Sequence, residues 1–146
     1  MKTVAQNRRA RFDYELLETL EAGIVLTGQE VKSCRMGQVS LAGAYISFHG
    51  SDPVLKGAMI TKYPYASPTE PYEPKRDRRL LLKKNEAERL RQYAQEKGIS
   101  VVPLDMRAGR FVKLTIGVGR GRKKLDKRRV IREKEVTRAL KRGKEI

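Results

Sequence analysis

The last thirty residues set the first limit on what this chain can fold into. From Gly117 to Ile146 they hold 13 Lys and Arg against 4 Asp and Glu, a net charge of +9. Their only large apolar residues are Val118, Leu125, Val130, Ile131, Val136, Leu140 and Ile146. Such a segment cannot offset its ordering entropy by burial. A core must therefore come from residues 1–116, enough for one small domain and too few for two. The expected organisation is a globular domain over 1–116 and a basic tail over 117–146, disordered when free and helical on a partner. From Lys127 onward the tail has no Pro and a single Gly, Gly143, while Val136 and Leu140 stand four apart. The whole chain of 146 residues carries 33 Lys and Arg against 17 Asp and Glu, a net charge of +16 that calls for a polyanionic partner. No apolar run exceeds three residues, so neither a membrane-spanning helix nor a signal peptide is expected, and the location should be intracellular. One cysteine, Cys34, and one histidine, His49, rule out an internal disulfide and a Cys/His zinc site.

Within residues 1–116, Leu16, Leu17 and Leu20 stand at helical spacing and predict a short helix over Asp13 to Glu21, stopping before Gly23. Ile24 to Val31, Ala44 to Phe48, Val54 to Ile60 and Ile99 to Leu104 are short apolar or alternating runs bounded by Gly, Pro or Asp, and read as strands. Phe111 to Ile116 alternates too, with Val112, Leu114 and Ile116 toward a core and Lys113 and Thr115 outward. A second helix is signalled by Asn85 as cap and Glu88 three residues on. Ala87, Leu90, Arg91 and Ala94 share a face, and Gly98 follows as a left-handed stop. The expected fold class is mainly β with helices: a small closed antiparallel β-barrel with two to three helices and a basic C-terminal tail. Closure would leave no free sheet edge.

Residues 61–79 form a separate excursion. Pro64, Pro68, Pro71 and Pro74 forbid a central strand, and they lie among Tyr63, Tyr65 and Tyr72 before the run Lys75-Arg76-Asp77-Arg78-Arg79. Tyrosines able to stack on bases, followed by arginines able to meet phosphates, suit irregular or single-stranded RNA. Catalytic chemistry is hard to assemble here. His49 precedes the turn-like Gly50-Ser51-Asp52, Gly117-Val118-Gly119-Arg120-Gly121 lacks the rest of either phosphate-loop pattern, and nothing beyond their presence recommends Glu21 and Glu30 as metal-binding carboxylates. One of these two carboxylates instead suits an ion pair with Lys32 or Arg35, or hydrogen bonds from an RNA base or backbone N–H groups. The glycines alternating with Arg120 suit a flexible basic arm leaving the barrel. No enzyme activity, metal or cofactor is expected.

Several blocks in order look like a known family. Asn7-Arg8-Arg9-Ala10-Arg11 with Asp13-Tyr14, Glu21-Ala22-Gly23-Ile24, Leu26, Gly28, Glu30-Val31-Lys32-Ser33 and Arg35 resemble the N-terminal signature of the SsrA-binding protein (small protein B) family. Arg79-Leu80-Leu81-Leu82, Val102-Pro103-Leu104, Ile116-Gly117-Val118, Gly121-Arg122-Lys123 and Asp126-Lys127-Arg128 resemble its later blocks. The resemblance implies a barrel of the oligonucleotide-binding (OB-fold) type in a bacterial cytoplasmic protein. It further implies binding to the tRNA-like domain of transfer-messenger RNA (tmRNA) and, with elongation factor Tu and GTP, delivery of the charged RNA to stalled ribosomes for trans-translation. The protein would stand in for a missing anticodon arm, with its tail folding as a helix in the vacant message channel beside the decoding centre.

Position by position, the resemblance implies that Asn7, Glu21, Arg35, Leu81 and Lys113 hold the RNA, joined as candidates by Arg8, Arg9, Lys32 and Arg79 from the same blocks. A carboxylate can accept from base amino groups, Leu can pack on an unstacked base, and cations can bind phosphates. Glu21 as an ion pair and Leu81 as buried core are the structural alternatives. In the tail, Arg120, Gly121, Arg122, Lys123, Asp126, Lys127, Arg128, Ile131, Arg132 and Lys134 are the candidate ribosome contacts. Phe12, where members often have His, suits packing, and Arg122 replaces a common Lys. Val136 stands where some members have an aromatic. A structural ribosomal or general RNA-chaperone protein is the alternative function, needing only the basic barrel and arm.

Overall fold

Alternation prevails over helical spacing in the first long segment. In the computed structural model, which describes residues 1–48, 52–69, 71–121 and 132, a strand β1 (Lys2–Gln6) leads into a short helix α1 (Arg8–Asp13) and then a long strand β2 (Tyr14–Ile24). The helix expected over Asp13 to Glu21 is therefore a strand. Glu15, Leu17, Thr19 and Glu21 are exposed, while Leu16, Leu20, Ala22 and Ile24 are covered to differing degrees. The reason lies far along the chain. β2 pairs over most of its length with β9 (Val112–Gly121), with Glu21 opposite Thr115 and Gly23 opposite Lys113. That ladder overrides the local leucine spacing. The register shifts between Leu16 and Glu18, and Leu17 between them is left outside.

After β2 the expected strand over Ile24 to Val31 gives way to helix α2 (Gly28–Arg35). Thr27 Oγ1 accepts from the Glu30 N–H at 3.3 Å and the Glu30 carboxylate accepts from the Thr27 N–H at 2.9 Å, a capping box that starts a helix decisively. Four very short strands follow: β3 (Val39–Ser40), β4 (Tyr45–Ser47), β5 (Val54–Lys56) and β6 (Met59–Ile60). The run Val54 to Ile60 breaks at Gly57, whose φ of +78° belongs to glycine and where a Cβ would sit 3.1 Å from the Gly43 carbonyl oxygen. Then come β7 (Arg78–Leu81), α3 (Lys84–Gln95) and β8 (Ile99–Ala108). Helix α3 begins before its expected cap Asn85, and Glu86, not Glu88, accepts from the Lys83 N–H at 3.2 Å. Of its expected apolar face, Leu90 is fully buried and Ala94 is exposed. Gly98, at φ +82°, turns the chain into β8.

Seven strands form one antiparallel sheet in the order β1-β8-β9-β2-β7-β5-β4, with β3 and β6 paired apart. Over residues 1–121 the described residues are mainly β with three helices. Among the described residues the end strands β1 and β4 do not pair, so hydrogen bonds do not close the ladder as the closed-barrel expectation requires. β3 to β6 are only two or three residues long, too short to complete it. Instead β1 lies against β3 and β4 against β8, so the two ends approach without pairing.

The core lies on the inner face. Val112, Leu114 and Ile116 are buried, as their alternation predicts, with Leu55, Ile60, Leu80 and Met106 around them. Cys34 packs there as well: its S–H donates to Met106 Sδ at 3.9 Å, and burial pushes the thiol up to about 11. β9 then runs through the expected domain boundary at Gly117 and ends at Gly121. A Cβ at Gly117 would lie 2.7 Å from Leu104 Cδ1, and one at Gly119 would lie 2.8 Å from Tyr14 Cβ. These glycines admit close neighbours into a rigid strand and do not begin a flexible arm.

Candidate nucleic-acid interface

The outer face of the sheet gathers residues from four strands into one row. Arg107 on β8 stands opposite Lys113 on β9, Lys113 opposite Gly23 on β2, and Gly23 opposite Leu81 on β7. Their inward neighbours Met106, Val112, Leu114, Ala22 and Leu80 are buried, which turns this set outward. A Cβ at Gly23 would already lie 3.3 Å from Leu81 Cβ, so the missing side chain lets Leu81 lie across the strand. Leu81 is 51 % exposed, which excludes the buried-core alternative for it.

Glu21 sits two residues from this row on the same face, not at the end of a helix. It pairs with Arg107 Nη2 at 3.1 Å across β9, and not with Lys32 or Arg35. Both partners are substantially exposed, so the pair contributes little to stability and remains accessible to a ligand.

The turn between β8 and β9 extends this surface. Arg35 on α2 donates from Nε to the Gly109 carbonyl at 2.7 Å and from Nη2 to the Arg110 carbonyl at 3.1 Å, so it holds the turn in place. Phe111 is 62 % exposed there, with the Arg110 guanidinium 5.8 Å from its ring centroid. Between Leu81 and Phe111 lies a hollow of about 190 Å³, lined also by Leu26, Val31, Arg110 and Lys113. Sequence reasoning passed over Phe111 as a site residue by placing it at the head of a strand. An aromatic directly after Gly109-Arg110 was the available signal.

Asn7 belongs to a different region. Its Oδ1 accepts from the Ala10 N–H at 3.2 Å, capping α1, and its Nδ2 donates to the Pro103 carbonyl at 3.0 Å. Its side chain is thus engaged in the fold at both ends. Arg8 and Arg9 follow it, exposed, beside a cleft of about 540 Å³ that Leu41 and Tyr45 also line; Arg9 pairs with Asp13 at 3.3 Å.

The basic run after the excursion divides. Arg78 is fully buried, donating to Glu30 Oε2 from Nε at 2.9 Å and from Nη2 at 2.6 Å, and to the carbonyls of Ala58 and Pro74. Arg76 donates to Glu30 Oε1 at 2.6 Å. Burial alone would raise the Glu30 pKa, but the Thr27 N–H and the two guanidiniums outweigh it and hold the carboxyl below its ordinary 4.5. Glu30 therefore meets a backbone N–H, as one expectation had it, but its ionic partners are Arg76 and Arg78, not Lys32 or Arg35. Arg79 stays exposed, 3.8 Å from Asp52, and Lys32 is exposed on α2.

In the tail, Arg120 and Gly121 form the exposed end of β9, and Arg132 is exposed. Arg122, Lys123, Asp126, Lys127, Arg128, Ile131, Lys134 and Val136, like His49, lie outside the described residues. Among the described residues no three His, Cys, Asp or Glu converge as a metal site, and no helix is long and apolar enough to cross a membrane.

The model of the SmpB protein family matches residues 4–145. This chain belongs to the SmpB family. The match spans the outer-face row, the β8–β9 turn and the basic residues beyond Gly121. SsrA-binding proteins are similar along nearly the full length: 43 % identity for that of Coprothermobacter proteolyticus, covering 100 % of this chain and 99 % of the relative. That of Deinococcus radiodurans is 45 % identical, covering 96 % of this chain and 98 % of its own. A solved structure described as "tmRNA-SmpB: a journey to the center of the bacterial ribosome" superposes with a TM-score of 0.67 at 41 % identity, over 82 % of this chain and 84 % of that one.

Proposed function

We propose that this protein is the tmRNA-binding adaptor of trans-translation, and that the outer-face row is where it grips the tRNA-like domain. The observation that carries this reading is the placement of Leu81, Lys113, Arg107 and Glu21 on one rigid, outward surface in a chain of the SmpB family. Lys113 and Arg107 supply phosphate contacts, Glu21 accepts from base amino groups, and Leu81 with Phe111 receives an unstacked base in the hollow between them. Arg35 acts by fixing the turn that carries Arg110 and Phe111, and Asn7 by setting α1 so that Arg8 and Arg9 face the RNA. None of these groups performs bond chemistry: the protein acts by binding, and it is not an enzyme.

The approach of β1 to β3 and of β4 to β8 supports reading the sheet as a partly open barrel of the oligonucleotide-binding type. The basic chain beyond Gly121 enters the vacant message channel as a helix, where ribosomal phosphates compensate its charge. Elongation factor Tu with GTP joins through the charged RNA, in the cytoplasm.

The test is competitive binding of the tRNA-like domain of tmRNA against ordinary tRNA. Preference for the former is expected, whereas equal affinity would favour a general RNA chaperone and overturn the adaptor reading. Truncation after Gly121, which leaves β9 whole, should preserve RNA binding and abolish tagging of nascent chains on stalled ribosomes. Tagging by the truncated protein would remove the tail from the mechanism.

A further inference from the structure

The excursion between β6 and β7 carries three tyrosines, and the structure gives them different roles. Tyr72 is a strut: its hydroxyl donates to the Ile60 carbonyl at 2.5 Å, and the Ile60 N–H donates to the Pro74 carbonyl at 3.0 Å, which locks the base of the excursion to β6. Tyr63 is half-buried and acts as a support, its ring centroid 5.4 Å from that of Tyr65 at an interplanar angle of 66°. Tyr65 is 80 % exposed, more than any other large apolar side chain among the described residues.

That exposure is built in. The Ala66 N–H donates to the Tyr63 carbonyl at 3.0 Å, closing a turn in which Pro64 takes the first corner and Tyr65 the second. Proline there lowers the entropy of holding the turn. A rigid turn that presents a supported, uncovered aromatic ring is suited to stacking.

Charge and position point to the occupant. The Lys32 ammonium lies 5.4 Å from the Tyr63 ring centroid, which places a cation beside the aromatic pair. Lys32 is also one helical turn before Arg35 on α2, and residues three apart on a helix are neighbours. Arg35 in turn holds the β8–β9 turn, with Arg110 and Phe111, at the edge of the sheet-face row. A path of cations and aromatics therefore leads from Lys113 over the turn and α2 to Tyr65.

We propose that Tyr65 is a stacking platform for an unpaired nucleotide of the same RNA that lies on the sheet face, with Lys32 beside it to meet the adjoining phosphate. The proposal rests on the sheet-face reading given above and extends it to a second contact on the excursion. Base stacking on an exposed tyrosine tolerates any base, so this site adds affinity and fixes the direction of the strand without reading sequence.

The chain contains no tryptophan, so Tyr65→Trp installs a single reporter at the site. Titrated with the tRNA-like domain of tmRNA, its emission should be quenched with the same midpoint as binding followed by anisotropy of labelled RNA. Tyr65→Ala should weaken binding about 5- to 150-fold, with an unchanged melting temperature, because the ring contributes little burial. Lys32→Ala should lower the slope of log affinity against log salt by about 1, whereas Tyr65→Ala should leave that slope alone. Native affinity for Tyr65→Ala, or unchanged emission at saturating RNA, would overturn the proposal. Lys113→Ala separates the two readings. If it weakens binding while Tyr65→Ala does not, only the platform falls; if neither does, the sheet-face interface falls with it.

Discussion

Replacing Arg78 by methionine tests the physical account of this fold at its most demanding point. Arg78 and Glu30 both have fully buried side chains, and the arginine makes two hydrogen bonds to Glu30 Oε2 and one each to the Ala58 and Pro74 carbonyls. Arg78→Met removes all four and leaves a carboxylate oxygen in the interior without its ionic partner. Arg76, bonded to the other oxygen and partly exposed, compensates only in part. Breaking a buried pair from one side costs about 3–5 kcal/mol, or about 10–20 °C in melting temperature for a domain of this size. Urea unfolding followed by circular dichroism at pH 7 measures it.

The pH dependence provides an internal check. In the native protein Glu30 titrates below its ordinary 4.5, so its stabilisation is fully present above that value and is lost as acid protonates the folded state. In the variant, desolvation is no longer offset by Arg78, the Glu30 pKa rises, and protonation relieves the buried charge. The stability gap between the two proteins should therefore narrow as pH falls toward about 4. The double variant Glu30→Met with Arg78→Met should lose clearly less than the sum of the single losses. A loss under about 1 kcal/mol for Arg78→Met, or a gap independent of pH, would refute the claim that this pair is a buried, mutually dependent unit.

Two further outcomes follow from packing and from the outer face. Gly119→Ala should destabilise by about 1–3 kcal/mol, because its Cβ would meet Tyr14 Cβ at 2.8 Å and the Glu15 carbonyl at 3.1 Å; a melting temperature equal to the native value would show that β2 and β9 are not so closely apposed. Lys113→Ala should reduce the salt dependence of RNA binding by about one unit of slope, whereas Phe111→Ala should weaken binding equally at low and high salt. Parallel shifts for both would mean that charge and stacking are not divided between them in this way.

How much of this was legible in advance differs by element. The alternation of Val112, Leu114 and Ile116 against Lys113 and Thr115 placed one strand and its faces correctly, because a period of two has a single geometric reading. Leu16, Leu17 and Leu20 misled: the same residues satisfy helical spacing, and only pairing with β9 decides for a strand. α2 was missed although Thr27 and Glu30 spell its capping box, because the apolar run Ile24-Val25-Leu26 reads as a strand when taken without the cap. Leu81 and Glu21 were named from family blocks, while Phe111 had no block to mark it.

The sequence by itself determined where the charge lies, with more than half of the net +16 in the last thirty residues, but not where the core-forming region ends, because β9 carries buried Val118 past Gly117. It also determined the family, through ordered motifs that span nearly the whole chain. Only the tertiary structure decided which like residues do unlike work. Arg78 is sealed inside and Arg79 is open; Tyr72 is a strut and Tyr65 is bare. Residue type is identical within each pair. What separates them is the partner that arrives from a distant strand or helix, and that partner depends on how the whole sheet is assembled.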